Sequence, residues 1–129
     1  MPQASNLTIA DGQATPVNCV FAVEQATPAL SIFVDRAAGV ASGFRRIKVS
    51  NRFASTKSPI NRSKFAIEYP VLQTVNGVST VAYTLRFNCE FITPENATDI
   101  DRKNIYAFAK NSFNNLSIQS ALRDLDPFY

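Results

Sequence analysis

The sequence predicts an α+β protein in which an antiparallel meander of strands precedes two C-terminal helices. Alternation of apolar and polar side chains dominates the first three quarters of the chain, short polar turns separate the alternating segments, and the apolar period becomes helical after Thr98. The 129 residues, 46% of them hydrophobic, suit a single domain with one core.

The first two predicted strands form a hairpin. "NLTIADGQATPVNCVFAV" contains two alternating segments around Asp11-Gly12, a dipeptide typical of tight turns between strands. Residues 29–36, 44–54 and 63–73 follow as three more strands, and "STVAYTLRFNCEFIT" forms the longest one after the turn "QTVNGV". Short connections between adjacent strands predict an antiparallel arrangement.

Two helices are predicted at the C-terminal end. Thr98 followed by Asp101 resembles a capping box, and a helix of about 16 residues fits the apolar spacing that follows. Ser117 is a candidate cap for a second helix that stops before Pro127. The helical apolar positions are Ile105, Phe108, Ala109, Ser112, Phe113 and Leu116, then Ile118, Ala121, Leu122 and Leu125.

Strand alternation predicts which side chains share a face of the sheet. The face that we expect the helices to cover carries Ile47, Val49, Phe53, Phe65, Ile67, Tyr69, Leu85, Phe87, Cys89 and Phe91. The opposite face carries Arg46, Lys48, Ser50, Arg52, Lys64, Ala66, Glu68, Thr84, Arg86, Asn88 and Glu90. Its five cations less its two glutamates give +3, the formal charge of the whole chain.

The composition of this basic face is more typical of an RNA-binding surface than of a sheet face that only contacts solvent. Residues 45–64 hold seven of the thirteen Lys and Arg and no acid, whereas a solubilising surface usually mixes signs. Side chains on one strand face recur about every 6.6 Å, so a cationic row can follow a phosphate backbone. Ser50, Thr84 and Asn88 add neutral groups that can read unpaired bases. The alternative is an ordinary solvated sheet face kept soluble by Lys and Arg.

Catalysis is poorly supported. The chain has no His and only four Gly, and it contains no Walker loop, Rossmann glycines or Gly-x-Ser-x-Gly. Cys19 and Cys89 lack metal-like spacing and are expected to be free thiols rather than a disulfide. We expect no enzyme activity, cofactor or metal. The N-terminal segment lacks the features of a secretory signal, which favours synthesis in a cytoplasm.

The C-terminal third, "TDIDRKNIYAFAKNSFNNLSIQSALRDLDPFY", resembles the helical ending of coat proteins of the single-stranded RNA bacteriophages, the levivirus group. In that family two helices follow a long last strand and the chain ends in a Leu-x-Pro-x-Tyr-like sequence, which Leu125, Pro127 and Tyr129 match. The resemblance continues upstream through "RRIKVSNRF" and "NRSKFAIEYP", where the family has a basic strand, an Asn-Arg turn and a strand ending in Pro.

The resemblance implies one coat protein domain over residues 1–129, with an N-terminal hairpin (1–24), a five-stranded antiparallel sheet (29–92) and two dimerisation helices (98–126). It implies an interlocked homodimer in which the helices cross onto the partner's sheet and ten strands form one surface. The dimer-interface residues expected from the helices are Ile105, Phe108, Ala109, Phe113, Ile118 and Leu122.

The implied function is that of a structural protein of the virion. Coat dimers of this family build an icosahedral capsid, package genomic RNA, and bind an RNA hairpin as a translational repressor, with no membrane or small-molecule partner. Assembly in the cytoplasm of the bacterial host is expected. The loop expected around the symmetry axes comprises Thr74, Val75, Asn76, Gly77 and Val78, although an ordinary hairpin turn explains the same residues.

The RNA site carries over only in part. Arg46, Ser50, Arg52, Asn88 and Glu90 match family RNA-face residues in kind. The family usually has Thr at the position of Lys48, Lys at that of Ala66, and a base-stacking Tyr at that of Thr84, whereas Tyr83 points to the other face by alternation. These departures predict a different operator preference. The full set of predicted RNA-binding residues is Arg46, Lys48, Ser50, Arg52, Lys64, Thr84, Arg86, Asn88 and Glu90.

Two other functions remain open on sequence grounds. One is a dimeric cytoplasmic RNA-binding regulator that never forms shells. The other is a carboxylate-based hydrolase that uses Glu68 and Glu90 on adjoining strands, against which ion pairs with sheet cations are the simpler explanation.

Overall fold

The structure, a computed structural model, describes residues 2–129. The chain forms two compact units that divide between Ile92 and Thr93. The strands are β1 (Leu7–Ala10), β2 (Asn18–Ala26), β3 (Leu30–Asp35), β4 (Arg45–Arg52), β5 (Ile60–Val75) and β6 (Val78–Pro94). The helices are α1 (Asp99–Ser112) and α2 (Leu116–Arg123), and a single 3₁₀ turn, Ala41–Gly43, precedes β4.

The six strands lie side by side in chain order, so the sheet is an antiparallel meander. The N-terminal hairpin, β1 and β2, is part of it, because β2 pairs with β1 on one edge and with β3 on the other. The sheet therefore has six strands, because the hairpin expected over residues 1–24 continues the sheet expected over residues 29–92, and two helices follow it. The predicted fold class is confirmed for the single chain.

The core lies on one face of this sheet. Phe21, Phe33 and Ile47 are buried, and Ile47 is only 1% exposed. Six half-buried residues pack against them, namely Leu7, Cys19, Val23, Val49, Phe65 and Ile67. Every member has an odd number, as the alternation in β4 and β5 predicts. Directly opposite pairs, Ile47 with Ile67 and Val49 with Phe65, fix this register.

The predicted strand 44–54 is too long at its C-terminal end, so Phe53 does not lie on the apolar face of β4. Phe53 is 69% exposed, because β4 ends at Arg52 and the chain turns away. The N–H of Ala54 donates to Asn61 Oδ1 at 2.7 Å, and Ser55 forms an isolated bridge with Ser58. The predicted strand would have paired these backbone groups within the sheet, but they form hydrogen bonds around the turn instead.

An ion-pair cluster closes the hairpin end of the core. Arg45 Nη1 lies 3.7 Å from Asp35 Oδ2 and 3.6 Å from Cys19 Sγ, and the guanidinium stacks 4.6 Å from the ring centre of Tyr69. Asp35 is 6% exposed and also accepts from the N–H of Ala37. A buried carboxylate needs these partners, since an unpaired charge in the core is costly. Both cysteines are free thiols, as expected.

A two-residue turn joins the long strands β5 and β6. Asn76 and Gly77 have φ of 51° and 78°. Positive φ at both central residues is the type I′ geometry that matches the twist of a hairpin, and Asn-Gly is its preferred sequence. Val75 and Val78 on either side are 48% and 61% exposed.

The predicted start of α1 is confirmed. The N–H of Asp101 donates to Thr98 Oγ1 at 3.2 Å, and the N–H of Thr98 donates to Asp101 Oδ2 at 3.3 Å, so both halves of a capping box are present. The predicted cap of α2 is wrong. Asn115, not Ser117, is the cap, and its side chain accepts from the N–H groups of Ser117 and Ile118.

The second helix ends before Pro127 because of local backbone geometry. Leu125 has a φ of 57°, in the left-handed region, and the N–H of Asp126 donates back to the carbonyl of Ser120. At this end the Arg123 guanidinium hydrogen bonds Asp124 and lowers the pKa of that carboxyl. Neither helix of the described chain is long and apolar enough to cross a membrane.

We expect Ile47→Ala to destabilise the protein by about 2 to 5 kcal/mol, because it empties a fully buried position. Ile9→Ala, at a residue 42% exposed on β1, is the matched control and should cost much less. Urea unfolding of both variants measures the difference. Equal losses would contradict the assignment of the core face.

Candidate nucleic-acid interface

The even-numbered side chains of β4 and β5 share the face opposite the core. The register pairs Arg46 with Glu68, Lys48 with Ala66, and Ser50 with Lys64. Residues directly opposite each other point to the same side of a sheet. The five predicted RNA-binding residues on these two strands are therefore brought together, namely Arg46, Lys48, Ser50, Arg52 and Lys64.

Two contacts align β6 with this face. Arg62 Nη1 lies 3.1 Å from Glu90 Oε1, and the rings of Phe65 and Phe87 meet edge to face with centres 6.3 Å apart. Even positions of β6 thus lie beside even positions of β5. This arrangement adds the other four predicted residues to the basic face, namely Thr84, Arg86, Asn88 and Glu90.

Three carboxylates hold cations of the basic face in ion pairs. Glu24 Oε2 lies 3.7 Å from Arg46 Nε, and Glu68 Oε1 lies 3.1 Å from Lys48 Nζ. Glu90 holds Arg62 at 3.1 Å. All these side chains remain between 30% and 40% exposed, so the pairs are open to solvent.

Charge is consequently uneven along the face. At one end, two cations face two carboxylates, Glu24 and Glu68. At the other end lie three cations, Arg52, Arg62 and Lys64, and one carboxylate, Glu90, which pairs with Arg62. Arg52 stands directly opposite Arg62, an arrangement of like charges that destabilises a sheet. We call the residues Arg52, Arg62 and Lys64 the cationic end.

Three predicted cations are open for a ligand. Arg52, Lys64 and Arg86 are exposed and form no ion pair with any residue in 2–129. An anion that bound here would relieve the repulsion between Arg52 and Arg62 as well as gain its own attraction. The geometry therefore favours an anionic partner at the cationic end.

An apolar strip borders the basic residues, and it was not predicted from the sequence. Leu30, Ile32 and Val34 of β3 stand directly opposite Ser50, Lys48 and Arg46. Val34 is 1% exposed, and Leu30 and Ile32 are half-buried. The face is thus less uniformly polar than alternation in β4 to β6 indicated, since the even positions of β3 are all apolar.

Arg62 and Glu24 were also missed. The prediction began β5 at residue 63, but the strand begins at Ile60, which places Arg62 in the same row as Lys64. Glu24 lies in β2, whose even positions had not been assigned to the face. Tyr83 is 59% exposed and has odd parity, which leaves half-buried Thr84 on the basic face.

The structure offers little for catalysis. Glu68 and Glu90 pair with Lys48 and Arg62 respectively, as expected of sheet ion pairs. Residues 2–129 contain no group of three or more His, Cys, Asp or Glu side chains that could hold a metal ion. Two cavities, of about 270 and 370 Å³, share Arg45 and Tyr69 at the hairpin end of the core, and no residue of the basic face lines them.

Comparison with known families decides the identity. The model of the levivirus coat protein family matches residues 2–129. The chain belongs to the levivirus coat protein family. A coat protein is a structural protein of the capsid and not an enzyme, which agrees with the absence of His from the sequence.

Solved structures share the fold of this coat protein along its whole length. The virus-like particle of bacteriophage NT-214 has a chain that is 29% identical, with a TM-score of 0.89, over 99% of this chain and 100% of that one. That of bacteriophage ESE058 is 26% identical with the same TM-score and coverage. The capsid protein of bacteriophage GA, 19% identical, shares the fold with a TM-score of 0.76 over 97% of both chains. A search of curated protein sequences gave no match.

Proposed function

We propose that this coat protein assembles as dimers into an icosahedral shell, packages the phage genome, and represses translation by binding an RNA hairpin on its basic face. The observation that carries the RNA-binding part is the cationic end, where Arg52 and Arg62 stand directly opposite each other beside Lys64. Similarity to chains of virus-like particles supports the shell.

The exposed apolar side chains of the single chain support the dimer. In the part of the chain that the structure describes, neither helix has a buried residue. Ile105, Phe108 and Leu122 are 52%, 68% and 62% exposed. On β6, an edge strand, Tyr83 and Leu85 are 59% and 52% exposed. Apolar patches of this kind mark a protein interface.

A second copy fits both exposed surfaces at once. Pairing of β6 with β6 of another copy would satisfy the edge and join the two six-stranded sheets, and strands β2 to β6 of both copies would form the proposed ten-stranded surface. The partner's helices would then cover the apolar side of β6. The proposed helical interface consists of Ile105, Phe108, Ala109, Phe113, Ile118 and Leu122. A lone folded monomer would be unstable, so stability and association are linked.

The loop between β5 and β6 is the proposed contact at the symmetry axes. Its five residues, 74–78, include the exposed side chains of Val75 and Val78 around the Asn76-Gly77 turn. A turn of two residues that both tolerate positive φ can change shape at low cost. Copies in non-identical environments of a shell need such a segment.

The basic face suits folded RNA. Arg52, Lys64 and Arg86 can contact phosphates, and the hydroxyl and amide side chains of Ser50, Thr84 and Asn88 can bind unpaired bases. A net charge of +3 is too small to neutralise a genome by bulk attraction, which favours localised binding of a hairpin. Bound at a start site, such a dimer would block translation.

Electron microscopy of the purified, expressed protein tests the shell. We expect uniform hollow or RNA-filled particles. Dimers at every concentration would instead support a regulatory RNA-binding protein that forms no capsid.

For RNA binding, we expect Arg52→Ala to lower the affinity for a hairpin and to flatten its salt dependence by nearly one unit of slope, because one phosphate contact is lost. Lys48→Ala should lower affinity less, because Glu68 already neutralises Lys48 at 3.1 Å. Filter binding across a KCl series measures both. Unchanged affinity in both variants would remove this face from RNA binding.

For the dimer, we expect Phe108→Ala to cost about 3 to 5 kcal/mol, because the partner buries the ring. Phe53→Ala is the matched control, since the two rings are 68% and 69% exposed in the single chain but only Phe108 is assigned to the interface. Concentration-dependent urea unfolding of dimers compares them. Wild-type stability of the Phe108 variant would contradict the proposed interface.

A further inference from the structure

We propose that Glu68, assisted by Glu24, determines the RNA selectivity of the basic face by holding Lys48 and Arg46 in ion pairs that withhold these cations from unstructured RNA. This inference rests on the proposed RNA-binding function and deepens it. It assigns to these carboxylates the rejection of unstructured RNA.

The geometry places Glu68 between two cations. It stands directly opposite Arg46 in the register, and its Oε1 lies 3.1 Å from the Nζ of Lys48 in the neighbouring row. Glu24 reaches the other side of Arg46 at 3.7 Å. We call the part of the face with Arg46, Lys48, Glu24 and Glu68 the paired end. It is locally neutral, while the cationic end carries three cations and one carboxylate.

These ion pairs are strong enough to weaken phosphate binding but too weak to abolish it. Glu68 and Lys48 are 34% and 37% exposed, so the pair lies in contact with solvent. An ion pair of this exposure changes an equilibrium only about two- to fivefold, and it weakens the attraction of Lys48 for a phosphate by about that factor. A carboxylate and a phosphate compete for the same ammonium donors.

The two ends therefore respond differently to RNA. Any phosphate gains from Arg52 and Lys64, which form no ion pair with the described residues. Arg46 lies six residues along β4 from Arg52, about 20 Å away in an extended strand. A flexible strand gains little from the other end while Glu68 and Glu24 neutralise Lys48 and Arg46 there, whereas a hairpin also gains from base contacts with Ser50, Thr84 and Asn88, which need neither cation. Discrimination arises because the carboxylates lower non-specific phosphate attraction and leave these base contacts unchanged.

The test compares two RNA probes on full-length coat protein dimers. One is an oligouridylate of about 20 nucleotides, long enough to cross the face. The other is a hairpin selected by the wild-type protein from a library with a randomised loop. Glu68→Gln removes the charge and keeps the shape of the side chain.

We expect Glu68→Gln to bind oligouridylate about three- to fivefold more tightly and to steepen the salt dependence by about 0.7 units, because Lys48 gains a phosphate contact. Affinity for the selected hairpin should change less than about twofold, so selectivity falls. Glu95→Gln removes one negative charge in the turn after β6 and should leave oligouridylate binding unchanged.

A double mutant separates this role from a general change in charge. In a Lys48→Met background, Glu68→Gln should no longer tighten oligouridylate binding, because the cation that it releases is gone. Equal tightening with and without Lys48 would overturn the inference.

Other outcomes also decide between the claims. If Glu68→Gln leaves oligouridylate binding unchanged or weakens it while Arg52→Ala weakens RNA binding, the inference fails and the RNA-binding function stands. If neither probe binds the wild-type protein at low salt, both fail.

Discussion

The structure depends on the cross-strand packing of Ile47 with Phe33 and Ile67. These side chains are directly opposite each other on three adjacent strands, and burial of Ile47 to 1% exposure fixes the register of β3, β4 and β5. A slip of one residue would send Arg46 and Lys48 into the core. The same packing that builds the core therefore sets the basic residues on the opposite face.

The strand register also determines which charges face each other across the strands. Arg52 opposite Arg62 lowers the stability of the sheet, and Arg46 opposite Glu68 raises it again in part. Partial neutralisation concentrates the surplus charge at one end of the sheet instead of spreading it. A surface evolved only for solubility has no need for that separation. It is consistent with a ligand of defined shape and charge, as proposed for the genomic hairpin.

Local sequence rules predicted much of this fold because local interactions determine those features. Alternation placed Val49 and Phe65 correctly, and the capping box at Thr98 needs only residues within one helical turn. The failures had nonlocal or competing causes. Asn115, not Ser117, caps α2, and Arg62 lies on the face because its pairing with Arg52 extends β5 beyond the predicted start at residue 63. Glu24 could be placed only once β2 had a position in the sheet.

In the proposed capsid, the even-numbered side chains of β4 to β6 face RNA inside the shell. Cryo-electron microscopy of particles formed by the expressed protein can locate this RNA. We expect RNA density against Arg52, Lys64 and Arg86 on the inner surface. Particles that display these three residues on the outer surface, or bury them beneath helices, would contradict it.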